Sequence, residues 1–263
     1  MHWRLIADER PRTGAENMAV DQALLERVQA GGGPVLRLYR WEPPCLSFGR
    51  NQPVPGPEVA TAASARGIHV VRRPTGGMAV YHDRELTYAV VVPVGVLGSP
   101  RETYRAINRA LVAGLRRLGV PAEVAPEPPV RGGRRRGADW AAPCFDVAAP
   151  GEVVVGGRKL VGSAQRAERR TLLQHGSLLL AGDQREAAEL LAAPDRGASA
   201  GVVALDAILG RVPPWDTLVA AVRGGFEDAL GVRLEDGALE AAVADRARAL
   251  LARFRSEEWT WRR

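Results

Sequence analysis

The sequence predicts a mixed α/β fold: mixed β-sheets flanked by helices, with a helical C-terminal segment. Three observations predict it. Short alternating or apolar β-rich runs fill the first and middle parts of the chain. Helical periodicity interrupts them, and the last third is helical. The runs are too short, and too often joined by tight turns, for a regular doubly wound βαβ sheet.

Trp3–Ala7 reads as a strand. Thr13-Gly-Ala-Glu16 has capping-box spacing and opens an amphipathic helix through about Gln29, which Gly31-Gly-Gly-Pro34 stops. Val35–Trp41 alternates like a half-buried strand, and Cys45–Phe48 reads as its hairpin partner. A short helix near Glu58–Arg66 follows, then a strand at Ile68–Arg73 and the turn Pro74-Thr-Gly-Gly77. Ala79–His82 and Leu86–Val92 read as strands, and Arg101–Leu118 as a helix ended by Gly119. Residues 126–143 carry four prolines and the run Arg131-Gly-Gly-Arg-Arg-Arg-Gly137, a basic loop. Cys144–Val147, Glu152–Val155, Leu160–Arg166 and Leu172–Leu180 form a second group of strands. Helices are expected at about Arg185–Ala192, Pro214–Leu230 and Gly237–Phe254.

No apolar run approaches the ~20 residues of a membrane span. The start, Met1-His-Trp-Arg-Leu-Ile, lacks the charged-then-apolar order of a secretory signal. The expectation is a soluble cytoplasmic protein. Two cysteines, Cys45 and Cys144, and four scattered histidines give no zinc spacing, and in a cytosolic chain the cysteines read as free thiols. The net charge of +6 suits an acidic partner, without choosing between nucleic acid and protein.

Of the 36 basic residues, 35 are arginine and one is lysine, Lys159. An arginine stays protonated, whereas a lysine shifts its pKa on burial and can exchange a proton. Lys159 is therefore the first candidate for chemistry. Cys144 opens a strand fifteen positions earlier, and a hairpin of that length brings its two ends together. A nearby ammonium favours the thiolate, the nucleophilic form. Against this stands a packing role for Cys144, and from residues alone the two readings balance. Cys45 lies in an apolar strand and reads as packing.

Arg72-Arg-Pro-Thr-Gly-Gly-Met-Ala-Val-Tyr-His-Asp83 is the other site-like segment. Paired glycines let a backbone approach a ligand, and the arginines before them could hold an anion. His82 and His175 are as compatible with structural as with acid–base roles. There is no G-x4-G-K-[ST] loop and no spaced GxGxxG.

Arg72 through Tyr88, Gly157-Arg-Lys-Leu-Val-Gly-Ser-Ala-Gln165 and Leu173-Gln-His-Gly-Ser177 closely resemble the biotin/lipoate ligase and lipoyl/octanoyl transferase superfamily. Glu16–Asp21, Ser47–Gln52 and Phe254–Trp259 fit as well, so the resemblance spans nearly the whole chain. It implies a single catalytic domain over 1–263, with the family core at about 30–235 and a helical tail over 236–263. Lipoate–protein ligases, which use ATP, typically carry Gly-Asn-Leu-Asn after the His-Asp, where this chain has Arg84-Glu-Leu-Thr87. Pro143-Cys144-Phe-Asp146 matches the cysteine placement of Gram-positive-type octanoyltransferases.

The resemblance implies transfer of an octanoyl group from octanoyl-acyl carrier protein to a lysine of a lipoyl-type domain, such as glycine-cleavage H protein. It would pass through a Cys144 thioester, with Lys159 beside the thiol and no cofactor. The alternatives are an ATP-dependent lipoate ligase and an octanoyl amidotransferase between carrier proteins. Implied substrate-binding residues are Arg73, Thr75, Gly76, Gly77, Met78, Ala79, His82, Gly162, Ser163, Ala164 and His175. Backbone N–H groups near Gly77-Met78 and Ser163-Ala164 are candidate oxyanion donors. Val71, Val80 and Val161 are candidates to line an acyl slot. Both protein partners are acidic, and the loop Arg131–Arg136 is expected to steer them. Neither nucleic acid nor membrane is expected as a partner, and the oligomeric state, a monomer included, is left open.

Overall fold

A computed structural model describes residues 1–53, 56, 58–126, 150–191 and 201–262. β1 (His2–Arg12) leads into α1 (Gly14–Gln29). The expected capping box is present: the Glu16 N–H donates to the Thr13 hydroxyl, and the Thr13 N–H donates to the Glu16 carboxylate at 2.9 Å. β2 (Val35–Trp41) returns parallel to β1.

β3 (Cys45–Phe48) does not form the expected hairpin with β2. The two edges of β2 are taken by β1 and by β6 (Glu85–Pro93), so β3 has no edge there to join. It starts a second sheet instead. There it pairs in parallel with β4 (His69–Arg72), across α2 (Glu58–Ala65), and antiparallel with β5 (Val80–His82).

α3 (Pro100–Arg117) has a second capping box, Ser99 with Glu102, and proline at its first position. β7 (Glu123–Val124), β8 (Val153–Val155), β9 (Arg158–Glu168) and β10 (Thr171–Leu179) complete one side of the main sheet. After α4 (Arg185–Leu190), α5 (Leu205–Leu209) and α6 (Trp215–Leu230) comes β11 (Arg233–Asp236). This unanticipated strand lies parallel to β1. α7 (Ala241–Arg255) and α8 (Glu257–Thr260) close the chain's described part.

Among the described residues the main sheet runs β11-β1-β2-β6-β10-β9-β8-β7, and the small sheet β4-β3-β5. β6 and β10 sit centrally and are buried on both faces, although β10 carries Gln174, His175 and Ser177 at its centre. One face carries α3 and α6 over Leu86, Tyr88, Val90 and Leu172. These helices approach so closely at Gly114 and Gly225 that a Cβ on Gly225 would overlap the α3 backbone. The other face is shared. α1 and α7 cover Ala89, Val91 and Leu173, and the small sheet covers the rest. Cys45 is fully buried in that second core, where burial first and the Glu85 charge second push its thiol up.

Candidate active site

A slot opens between the two sheets. It is narrow, and its empty volume is about 370 Å³ only when open solvent at the mouth is counted. Strand alternation decides which residues face it. His175 pairs with Ala164 and with Ala89; Ser177 pairs with Gly162 and Thr87. His175, Ser177, Gly162, Ala164 and Thr87 therefore share one face of the main sheet, and all but Ala89 of these paired residues line the slot. Met18, Tyr39 and Trp41 form its buried inner end. Val80, Ser47, Arg73 and His82 close it from the small-sheet side. Beyond Val161 the outer edge of β9 has no strand partner among the described residues, and this edge forms the mouth.

Lys159 reaches the same face through a β-bulge. Val153 pairs with Val161 but Val154 pairs with Lys159, so Leu160 is skipped. One extra residue reverses the alternation. It places Lys159 on the face of Gly162 and Ala164 rather than that of Val161. There its Nζ lies 2.7 Å from Glu152 Oε1, with both side chains buried. The turn between the strands is Gly156-Gly157, both with positive φ, as a two-residue hairpin loop requires.

Two hydroxyl–imidazole–carboxylate chains meet the slot. In the first, His82 Nδ1 is 2.8 Å from Glu85 Oε1 and His82 Nε2 is 2.7 Å from Ser47 Oγ. A proton on Nδ1 leaves Nε2 to accept the Ser47 hydroxyl. Glu85 Oε1 also accepts from Ser177, at 2.9 Å, and from Thr87. Trp41 Nε1 donates to Thr87 at 2.6 Å, and the indole stacks on His82 at 4.0 Å.

In the second chain, His175 Nδ1 is 3.0 Å from Asp21 Oδ2 and its Nε2 is 2.5 Å from Thr75 Oγ1. Arg37 and the Tyr39 hydroxyl also donate to Asp21. Burial holds His175 below its ordinary range, against the pull of Asp21. Burial alone would raise the Asp21 carboxyl, but His175, Arg37 and Tyr39 outweigh it and keep it low.

The Gly76-Gly77 loop lies across the mouth. A Cβ on Gly77, whose φ is +92°, would stand 3.9 Å from that of Ala164, and a Cβ on Gly49 would overlap the Gly77 carbonyl. Arg73 sets the loop's shape by donating to the carbonyls of Ser47, Gly76 and Met78. Arg72 donates to five carbonyls, those of Gly49, Arg50, Gln52, Thr260 and Arg262. These two arginines, expected to hold an anion, hold main chain.

Of the residues singled out in the sequence, the slot gathers Arg73, His82, Gly162, Ser163, Ala164 and His175. Thr75 touches it through His175, and Gly76, Gly77 and Met78 belong to the loop at its mouth. Ala79 packs instead in the small-sheet core. Val80 lines the slot, but Val71 and Val161 belong to the two cores, contrary to expectation. Cys144 and the loop Arg131–Arg136 lie outside the described residues. Sequence reasoning missed Glu152, Ser47, Glu85, Thr87, Ser177, Asp21, Trp41, Tyr39 and Met18. Glu152 had a signal: a Gly-Gly hairpin pairs 154 with 159 and so puts 152 on the lysine's face.

This slot, with a Gly-Gly loop beside it and a buried lysine on the same face of a bulged strand, fits an enzyme that handles an extended acyl chain. The chain belongs to the lipoyl protein ligase A/B catalytic domain family, which its residues 13–227 match. It is similar to octanoyltransferase LipM of Kyrpidia tusciae, 43% identical over 274 residues and covering 99% of each chain. Octanoyltransferase LipM of Symbiobacterium thermophilum is 39% identical over 280 residues, covering 100% of this chain and 99% of that one. A solved structure of lipoate-protein ligase A bound with ATP matches with a TM-score of 0.80 at 26% identity, over 99% of each chain. The family resemblance and the mixed α/β architecture expected from the sequence are both borne out.

Proposed function

We propose that this chain is an octanoyltransferase of lipoate assembly. It moves an octanoyl group from octanoyl-acyl carrier protein to a lysine of a lipoyl-type domain, such as glycine-cleavage H protein. The carrying observation is the apolar slot that ends at Trp41, Tyr39 and Met18 and opens on the face of β9 that bears Lys159. Full-length similarity to proteins named octanoyltransferase supports the same reading.

In the proposed cycle Cys144 is the nucleophile. Its thiolate attacks the carrier thioester, the C–S bond to the carrier breaks, and the carrier thiol leaves after taking a proton. The acceptor amine then attacks the Cys144 thioester, loses a proton, and leaves as an amide while the enzyme thiol is restored. Thioester to amide is downhill, so the cycle needs no ATP. Lys159 is the proton carrier, and Glu152 keeps its ammonium oriented. The slot fixes the chain so that the carbonyl stays at the mouth, where the edge of β9 beyond Val161, which has no strand partner among the described residues, and the Gly77 loop offer N–H groups.

The test is an intact mass after mixing with octanoyl-carrier protein in nucleotide-free buffer. A hydroxylamine-sensitive octanoyl adduct on Cys144 is expected, followed by transfer to the acceptor. A Cys144→Ser protein with native turnover would refute the assignment. A second reading, ATP-dependent ligation, is favoured by the likeness to the ATP-bound ligase. It requires pyrophosphate release with free octanoate and ATP.

A further inference from the structure

Four arginines from four distant segments converge beside the slot mouth. Arg50 follows β3, Arg166 lies on β9, Arg253 on α7, and Arg262 follows α8. Trp259 is their common support. The guanidinium of Arg253 lies 3.8 Å from its ring centroid, that of Arg262 3.9 Å, and that of Arg50 5.6 Å. Arg166 reaches the carbonyl of Pro74, at the root of the Gly-Gly loop.

These charges are poorly neutralised. Among the described residues, only Arg166 has a carboxylate within ion-pair distance, that of Glu168. Nearby Glu26 is engaged by Arg246. Arg50 Nη1 is buried with no hydrogen-bond partner. Burial, and after it the charge of Arg50, depresses Arg166, Arg253 and Arg262 alike. The protein keeps like charges together where their mutual repulsion is unfavourable. An arginine stacked on an aromatic face still presents its N–H edge outward, in the geometry that binds carboxylates and phosphates.

The distance from the reacting end of the slot selects the partner. Arg166 and Lys159 are seven residues apart on β9. At ~3.3 Å per residue this is roughly 20 Å. A protein that presents its own lysine must sit directly on the mouth. A protein that presents its acyl group on a long phosphopantetheine arm must sit an arm's length away.

We propose that Arg50, Arg166, Arg253 and Arg262 form the docking surface for the acidic carrier-protein donor, distinct from where the acceptor binds. The proposal rests on the octanoyl-transfer reading. Docking there leaves the arm to run along β9 past Ala164 into the slot. It also differs from the sequence expectation, which gave this role to Arg131–Arg136.

The test uses the full chain with Arg253→Glu and Arg262→Glu combined, and a second protein with both residues changed to Lys. Arg253→Gln with Arg262→Gln replaces the first pair if its thermal melt shows misfolding. Expected for the Glu or Gln pair is at least a tenfold rise in KM for octanoyl-carrier protein with kcat nearly unchanged. Transfer from octanoyl-pantetheine, which carries no protein, and the KM for the acceptor should stay as in the parent. The Lys pair should keep most carrier affinity, and added salt should weaken the parent more than the Glu pair. An unchanged carrier KM, or equal losses with octanoyl-pantetheine or acceptor, overturns the proposal while leaving octanoyl transfer intact. If the parent is not acylated by the carrier at all, the transfer reading itself fails. Titration of apo-carrier then decides docking separately: binding lost in the Glu pair supports it, and no binding to the parent ends it.

Discussion

Lys159 Nζ and Glu152 Oε1 form a buried ion pair at 2.7 Å, held on one face by the bulge at Leu160. Removing one partner of such a pair leaves a buried charge poorly compensated. Glu152→Ala is expected to lower stability by about 3 kcal/mol in urea unfolding. In the proposed cycle Lys159→Ala should cut acylation by orders of magnitude and move thiol alkylation to higher pH. Lys159→Arg keeps the charge but cannot exchange a proton at ordinary pH. It should keep a reactive thiol and lose turnover. An alkylation curve unchanged in Lys159→Ala would show that the lysine does not act on the cysteine.

Glu85 gathers His82, Thr87 and Ser177 on one oxygen. Glu85→Ala leaves these buried groups without their acceptor, and each such loss costs about 1–3 kcal/mol. The expected result is a drop of about 3 kcal/mol, with a changed near-ultraviolet signal from Trp41, which stacks on His82. Glu85→Gln keeps an acceptor oxygen and should cost less than half as much. Equal losses in the two variants would contradict the role given to Oε1.

Met18 is almost fully buried at the inner end of the slot. Met18→Ala lengthens the space available to a chain. A methylene in an apolar pocket is worth about 1–3 kcal/mol in discrimination. The ratio of kcat/KM for decanoyl over octanoyl donor should therefore rise by about tenfold. An unchanged ratio would mean that the chain does not reach Met18.

Acidification should destabilise the fold in two stages. His175 is held below its unfolded value of ~6.5, so it folds neutral. Its contribution is whole above ~6.5 and is lost as pH falls from there through the folded value. Asp21 is held below its unfolded value of ~3.9, so its contribution is whole above that and is lost at still lower pH. His175→Gln should flatten the first stage of a urea-stability profile and leave the second. A first stage that persists unchanged would assign it to another group.

Local chemistry made much of this fold legible. Thr13 with Glu16 satisfies nearby backbone groups, so spacing alone reports it; Ser99 with Glu102 forms the same box and went unread. The partner of β3 was not legible, because the edges of β2 are filled by strands far away in sequence. Trp41, Tyr39 and Met18 read as core since a slot floor and a core residue have the same polarity. The arginine cluster is invisible in one dimension: its members at 50, 166, 253 and 262 share no local pattern. His82 and His175 stood out as residues, yet Glu85 and Asp21, which orient them, became recognisable only in three dimensions.

The five carbonyls on Arg72 come from two stretches, 49–52 and 260–262, that lie about 210 residues apart in sequence. Burial and the neighbouring Arg262 and Arg73 bring this guanidinium down to about 10, so it remains charged at neutral pH. One fully engaged cation thus joins both stretches into a single cooperative unit. Neither can open without leaving buried Arg72 N–H donors unpaired. Amide protons of Arg50, bonded to Thr75, and of Trp261, bonded to Glu257, should therefore exchange with solvent at one common opening free energy. The slot mouth then inherits its rigidity from the last helical turn, so damage at α8 would be felt first as motion at Thr75.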